Sequence, residues 1–160
     1  MEEHQQANTN RPRNTGVTLI EMMMVVVIIA VLVMIALPMF QGVLDKARGA
    51  RAIGDVRAVQ TDLQTYETDG KGLPGSLSEI GRGDLRDPWG FAYRYLRFPE
   101  DGSKPKGARK DRFLVPVNST FDLYSVGKDG STSAPMTAGA SQDDIVRAND
   151  GGFIGLASKF

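Results

Sequence analysis

Cysteine is absent from the 160 residues, and histidine occurs once, as His4. Without a thiol the chain forms no disulfide framework, no thiolate metal site and no cysteine nucleophile, and the absence says nothing about redox compartment. His4 lies in an N-terminal segment expected to be removed, as argued below. The mature chain then has neither histidine nor cysteine, which excludes serine–histidine and cysteine–histidine nucleophilic devices and the usual histidine-bearing zinc sites. Carboxylate or lysine chemistry is formally left open. Net charge is lacking as well, since lysine plus arginine number 19 and aspartate plus glutamate 19. No overall field draws the protein to nucleic acid or an anionic surface, so any partner is chosen by shape or by local charge. There is no internal repeat, and beyond the apolar N-terminal third the chain has room for one small domain.

Apolar sequence is what the N-terminal region has in excess. From Met22 to Phe40 it reads MMMVVVIIAVLVMIALPMF without a charge, and at about 1.5 Å per residue this run crosses a ~30 Å hydrocarbon layer. So small a domain could hardly cover a helix that is apolar all round. A secretory signal has an apolar region of about 7–15 residues followed by its cleavage site, whereas here the cleavable part precedes the run. A single membrane span is therefore expected. Arg11 and Arg13 stand on its N-terminal flank, which keeps that flank cytoplasmic and places the C-terminal body outside. Glu21 stands at the edge of the run, where a carboxylate costs about 2.5–3.5 kcal/mol at bilayer depth, and this marks it as a functional residue. Pro38, near the other end, removes one helix hydrogen bond and is expected to kink or locally melt the helix.

Beyond Pro38 the pattern becomes amphipathic, with Phe40, Val43, Leu44, Ala47, Ala50, Ile53, Val56, Val59, Leu63 and Tyr66 recurring at steps of three or four. The helix is expected to run unbroken to near Thr68, about fifty residues and roughly 75 Å, slightly weakened by Gly49 and Gly54. Its apolar stripe needs cover, and the C-terminal region is what can supply it. The breakers from Asp69 to Gly75 end the helix. Ser76-Leu77-Ser78-Glu79 has capping-box spacing and predicts a short helix through Ile80. Asp87-Pro88-Trp89-Gly90 reads as a tight turn. Strands are expected at Phe91–Phe98, Phe113–Val117 and Thr120–Ser125, forming a small antiparallel sheet. Lys104, Lys106, Arg109, Lys110 and Arg112 form a basic cluster without aromatic residues to stack bases, so it reads as a solvated loop and no nucleic-acid partner is expected. The stretch Ser131–Gln142 is a loop of small residues. Asp129, Asp143 and Asp144 around it read either as solvated turns or as oxygen ligands for a hard cation.

Gly16-Val17-Thr18-Leu19-Ile20-Glu21 resembles the processing string of the type IV pilin superfamily, which includes the pseudopilins of type II secretion. The strings Asp87-Pro88-Trp89-Gly90, Asp122-Leu123-Tyr124-Ser125-Val126-Gly127-Lys128-Asp129-Gly130 and Asp143-Asp144-Ile145 look like the C-terminal half of the major pseudopilin. The resemblance implies an α+β pilin fold, in which a long N-terminal helix, transmembrane in one half and amphipathic in the other, packs on a small domain with a short antiparallel sheet. The implied boundaries are a cleaved leader over 1–16, a transmembrane and assembly helix over 17–40, its amphipathic continuation over 41–68 and a globular domain over 69–160.

The resemblance further implies cleavage after Gly16 by a prepilin peptidase and methylation of Val17, where the family more often has phenylalanine. Glu21 is implied to set the axial register of a filament by meeting the Val17 ammonium of a neighbouring subunit, and relatives carry a proline at the place of Pro38. A structural calcium ion is implied at Asp129, Asp143 and Asp144, with backbone carbonyls nearby, although Ser131–Gln142 is longer than in the family. The implied partners are further copies of the chain in a homopolymeric filament, minor pseudopilins, the prepilin peptidase, the inner-membrane assembly platform and the lipid bilayer. The implied place is the bacterial inner membrane, crossed once, with the C-terminal domain in the periplasm. The implied function is structural and non-enzymatic: a subunit of the type II secretion pseudopilus that helps export folded proteins across the outer membrane. A surface type IV pilus subunit for adhesion, motility or DNA uptake is the alternative, and its major pilins often carry a C-terminal cysteine pair that is absent here. A membrane-anchored enzyme using carboxylates such as Asp129 and Asp143 finds no base, nucleophile or pocket signature in the chain.

Overall fold

A computed structural model describes residues 16–160, so His4, Arg11, Arg13 and all of the expected leader except Gly16 lie outside the described residues. Helix α1 spans Leu19–Tyr66. Thr18 begins it: its Oγ1 accepts the Glu21 N–H at 3.3 Å, and the acidic side chain in the first turn faces the positive end of the helix dipole. The helix continues through Pro38, so the local melting that was one form of the expectation is not observed. One missing rung does not unwind a helix whose flanking turns keep theirs. A π-helical turn over Glu67–Lys71 closes it, with Gly70 at φ 77° and Gly72 at φ 67°, which places the stop within the expected breaker cluster.

The chain divides into two compact units, Met1–Gly42 and Val43–Phe160. The described part of the first is helix with its apolar side chains uncovered, Leu19 being 81% and Met34 75% exposed. By length and composition α1 is long and apolar enough to cross a membrane.

In the second unit α1 supplies one wall of the core. Ala52, Val56, Val59 and Leu63, spaced four, three and four apart, are fully buried against Leu77, Tyr93, Phe121, Leu123 and Ile145. Each such valine or leucine contributes about 1.5–3 kcal/mol by leaving water. The opposite wall is one antiparallel sheet of β1 (Arg94–Arg97), β2 (Phe121–Ser125), β3 (Ile145–Ala148) and β4 (Phe153–Leu156), in sequence order across the sheet. Strand alternation sends Phe121, Leu123 and Ile145 toward α1 and sends Val146 and Ala148 to a second cluster with Val117, Met136 and Ala157. The sheet is thus apolar on both faces.

The sheet departs from expectation in two ways. Phe113–Val117 is not a strand: Asp111 and Leu114 make an isolated bridge across a tight turn, Phe113 is 96% exposed, and Pro116 has no N–H to offer a ladder. Two unexpected strands, β3 and β4, follow Ser125. Their hairpin turns through Asn149 (φ 52°), Asp150 (φ 53°) and Gly151 (φ 94°), a left-handed run suited to a tight reversal. The Glu79 carboxylate reaches back to the Gly75 N–H at 3.0 Å, so the expected helical turn forms, as a 3-10 turn over Leu77–Ile80.

Polar contacts add to the apolar stripe along α1. Lys128 Nζ donates to Asp45 Oδ2 at 2.7 Å, Tyr93 OH to Asp55 Oδ2 at 2.9 Å, Arg147 Nε to Gln60 Oε1 at 3.0 Å and Arg82 Nε to Asp62 Oδ2 at 2.8 Å. Arg147 is the most buried of these donors. It also donates Nη1 to the Phe121 carbonyl at 2.9 Å, and its guanidinium lies 3.9 Å from the centre of the Phe121 ring.

Candidate functional site

At the N-terminal site the backbone of Gly16, Val17 and Thr18 is not helical, and all three residues are exposed. A side chain built on Gly16 would meet nothing within 4 Å. Among the described residues, then, nothing sterically requires a glycine at this position. Glu21 is exposed on the first turn of α1, four residues after Val17. Thr18 and Glu21 have capping-box spacing, and of that motif the bond from the Glu21 N–H to Thr18 Oγ1 is formed.

The C-terminal site is built where the three resembling strings meet. Asp87, buried, accepts the N–H groups of Trp89 at 3.1 Å and Phe91 at 2.8 Å on Oδ1, and the Ser125 hydroxyl on Oδ2. Ser125 Oγ in turn accepts the Gly127 N–H at 3.1 Å. Gly127, at φ 70°, backs directly onto Asp143, whose Oδ2 accepts the N–H groups of Lys128 at 2.7 Å and Asp129 at 3.0 Å. Asp129 Oδ1 accepts the Ser131 N–H at 2.7 Å, closing the next turn. A side chain on Gly130 would strike the Phe91 ring at 2.5 Å. The Asp87 turn, the Ser125–Gly130 turn and Asp143 are therefore one interlocked structure. The hydrogen bond to Lys128 holds the Asp45 carboxyl below the usual carboxylate range.

Asp144 belongs to a different set of contacts. It is fully buried, and its Oδ2 accepts Arg109 Nη2 at 2.6 Å and the Thr132 hydroxyl at 2.6 Å. Arg109 Nη1 donates to Thr132 Oγ1 at 2.6 Å and to the Ser133 carbonyl at 2.7 Å. The guanidinium lies 4.5 Å from the centre of the Tyr124 ring. Backbone contacts fasten the same residues, with the Arg109 N–H on Asp122 Oδ2 at 2.6 Å, Lys110 N–H on the Ala134 carbonyl at 3.0 Å and Met136 N–H on the Lys110 carbonyl at 2.9 Å. Burial pushes the Asp144 and Asp122 carboxyls up, opposed by these donors.

Arg109 is 1% exposed, which corrects the reading of the whole basic cluster as a solvated loop. Among five cations of similar appearance, nothing local distinguishes the one whose partner lies 35 residues away. The three sequence-predicted aspartates do not act as one ligand set. Asp129 and Asp143 cap backbone turns while Asp144 holds a guanidinium, and among the described residues no group of three or more acidic, histidine or cysteine side chains is placed to hold a metal ion. In this arrangement the residues do not fit a calcium ion bound by all three.

Residues 11–37 match the family model described as the prokaryotic N-terminal methylation motif, which takes in Gly16, Val17 and Glu21. Curated relatives match over most of both chains. The type II secretion system core protein G of Escherichia coli (strain K12) is 32% identical over 83% of this chain and 90% of its own length. The protein of the same name from Pseudomonas aeruginosa is 30% identical over 75% of this chain and 87% of its own length, and that of Vibrio cholerae is 27% identical over 78% and 88%. No solved structure matches.

Proposed function

From the premise that the chain belongs to the type II secretion system core protein G family, we propose that it is processed after Gly16, polymerises through its N-terminal helix and helps export folded proteins across the outer membrane. The observation that carries this reading is the methylation motif lying across the start of a helix whose apolar residues are uncovered.

The steps follow from the residues. The precursor inserts with its apolar run in the inner membrane and its C-terminal domain in the periplasm. Hydrolysis of the Gly16–Val17 bond by a prepilin peptidase leaves a carboxylate on the leader and an ammonium on Val17. Methylation of that amine leaves it basic and charged. Glu21 of an adjacent copy meets the ammonium, and both charges avoid the cost of standing unpaired at the bilayer edge. The apolar side chains of 19–44 then pass from lipid into a bundle of like helices. Hydrocarbon surroundings are exchanged for hydrocarbon, so the charge pair and close packing, not burial from water, decide register and affinity. The subunit performs no chemistry of its own. Its partners are further copies, minor pseudopilins, the peptidase and the inner-membrane assembly platform.

Gly16→Ala is the direct test. The precursor should accumulate in the membrane, with the Val17 N-terminus missing from mass spectra and secretion lost. Normal maturation at Val17 in that variant would overturn the reading.

A further inference from the structure

The loop from Lys128 to Asp144 is long and contains little regular structure beyond a 3-10 turn over Gly139–Ser141, yet Met136, Ser141 and Asp144 in it are buried. Something must hold it, and the structure assigns that work to a side chain. We propose that the Arg109 guanidinium is the cation that fixes this loop, in the role the resemblance gives to calcium, so that the subunit folds independently of calcium.

Four observations carry the proposal. The guanidinium is buried and central, touching Thr132 and Ser133 at the start of the loop and Asp144 at its end through contacts of 2.6–2.7 Å. Charge-assisted bonds of this length are stronger than neutral ones, and a planar fork holds three acceptors in fixed directions. The segment bearing Arg109 is itself laced to the loop, through Lys110 to Ala134 and Met136 to Lys110. On the aspartate that would complete a metal set with Asp129 and Asp143, Oδ2 is taken by this same cation, while the buried Oδ1 has no hydrogen-bond partner. The basic stretch 104–112 and the loop 131–142 also pair with one another, as the Lys110–Pro135 bridge records.

This inference concerns folding of the single chain and stands whether or not the chain polymerises. The test is thermal unfolding of the full chain in detergent micelles, with calcium chloride or with a chelator present. Wild type should melt at the same temperature in both. Arg109→Met should lower the melting temperature by on the order of 10 °C in both, because it strands a buried carboxylate. Asp144→Leu should lower it similarly, and the double variant should recover most of the loss by leaving no unpaired charge. Thr132→Val, which removes only the hydroxyl shared by the pair, should cost a few degrees and remains measurable if Arg109→Met does not accumulate. Saturable calcium binding that raises the wild-type melt by several degrees would overturn the proposal. So would Arg109→Met or Thr132→Val melting like wild type, or a double variant no better than the sum of its singles.

Discussion

Gly127 offers a measurement in which conformation and contact can be separated. A Cβ at this position would stand 2.6 Å from the carbonyl oxygen of Asp143 and 2.6 Å from its Oδ2, both too close to remain in place. Alanine therefore bears two costs. The left-handed backbone costs about 1–2 kcal/mol for any residue with a Cβ. Displacing Asp143 weakens its bonds to the N–H groups of Lys128 and Asp129, exposed and so worth about 1 kcal/mol each. The sum is about 3–4 kcal/mol. Gly81 is the control, since its φ of 71° matches the 70° of Gly127 while an added Cβ meets nothing within 4 Å. Gly81→Ala should bear the conformational cost alone, about 1–2 kcal/mol. At about 4 °C per kcal/mol for a unit of this size, Gly127→Ala should melt about 12–16 °C below wild type and Gly81→Ala about 4–8 °C below. Circular dichroism melts of the full chain in micelles read both values. Equal shifts for the two variants would refute the contact argument and leave only backbone strain.

Glu21→Leu should insert normally and accumulate as mature subunit, yet form no filament in a sedimentation assay; wild-type filament yield would defeat the register role. Asp87→Ala strands the N–H groups of Trp89 and Phe91 and should lower stability by about 2–4 kcal/mol in denaturant titration, whereas a loss under 1 kcal/mol would show that the turn does not depend on its carboxylate. Burial pushes the Tyr95 hydroxyl up to about 12 and pushes Tyr93 up further, the latter with help from its bond to Asp55. Both are neutral in folded and unfolded chains below about pH 10, where their contribution is whole. Above that pH the unfolded chain ionises first, so stability should fall from pH 10 through about 12. Melting temperatures across this range should fall less steeply in Tyr93→Phe; an unchanged slope would count against the assignment.

The legible parts of the fold were those governed by local periodicity. The stripe ending in Val56, Val59 and Leu63 and the breakers at Gly70 and Gly72 fix α1 and its end to within a few residues. β1 and β2 also fell within expected strands. β3 did not show because Ile145–Ala148 is buried on both faces and carries Arg147 toward α1, which breaks the apolar alternation. Phe113–Val117 misled for the opposite reason, being apolar and partly β-branched while its residues Phe113, Leu114 and Val115 stand on an exposed turn. At the N-terminal end the string from Gly16 to Glu21 was legible because it is contiguous, and it falls within the matched methylation motif. The C-terminal site could be read only in part. Its turn-forming strings were visible, but the choice of Arg109 over its four basic neighbours depends on a fold that brings it to Asp144.

The four polar ties from Asp45, Asp55, Gln60 and Asp62 to Lys128, Tyr93, Arg147 and Arg82 are staggered along the axis of α1. A thrust applied along that axis loads them side by side in shear, together with the buried stripe, and none can yield alone. Peeling would have to begin at one end and break them in turn. Within the second unit the stretch of α1 from Val43 onward and the sheet beneath it therefore bear such a load as one piece.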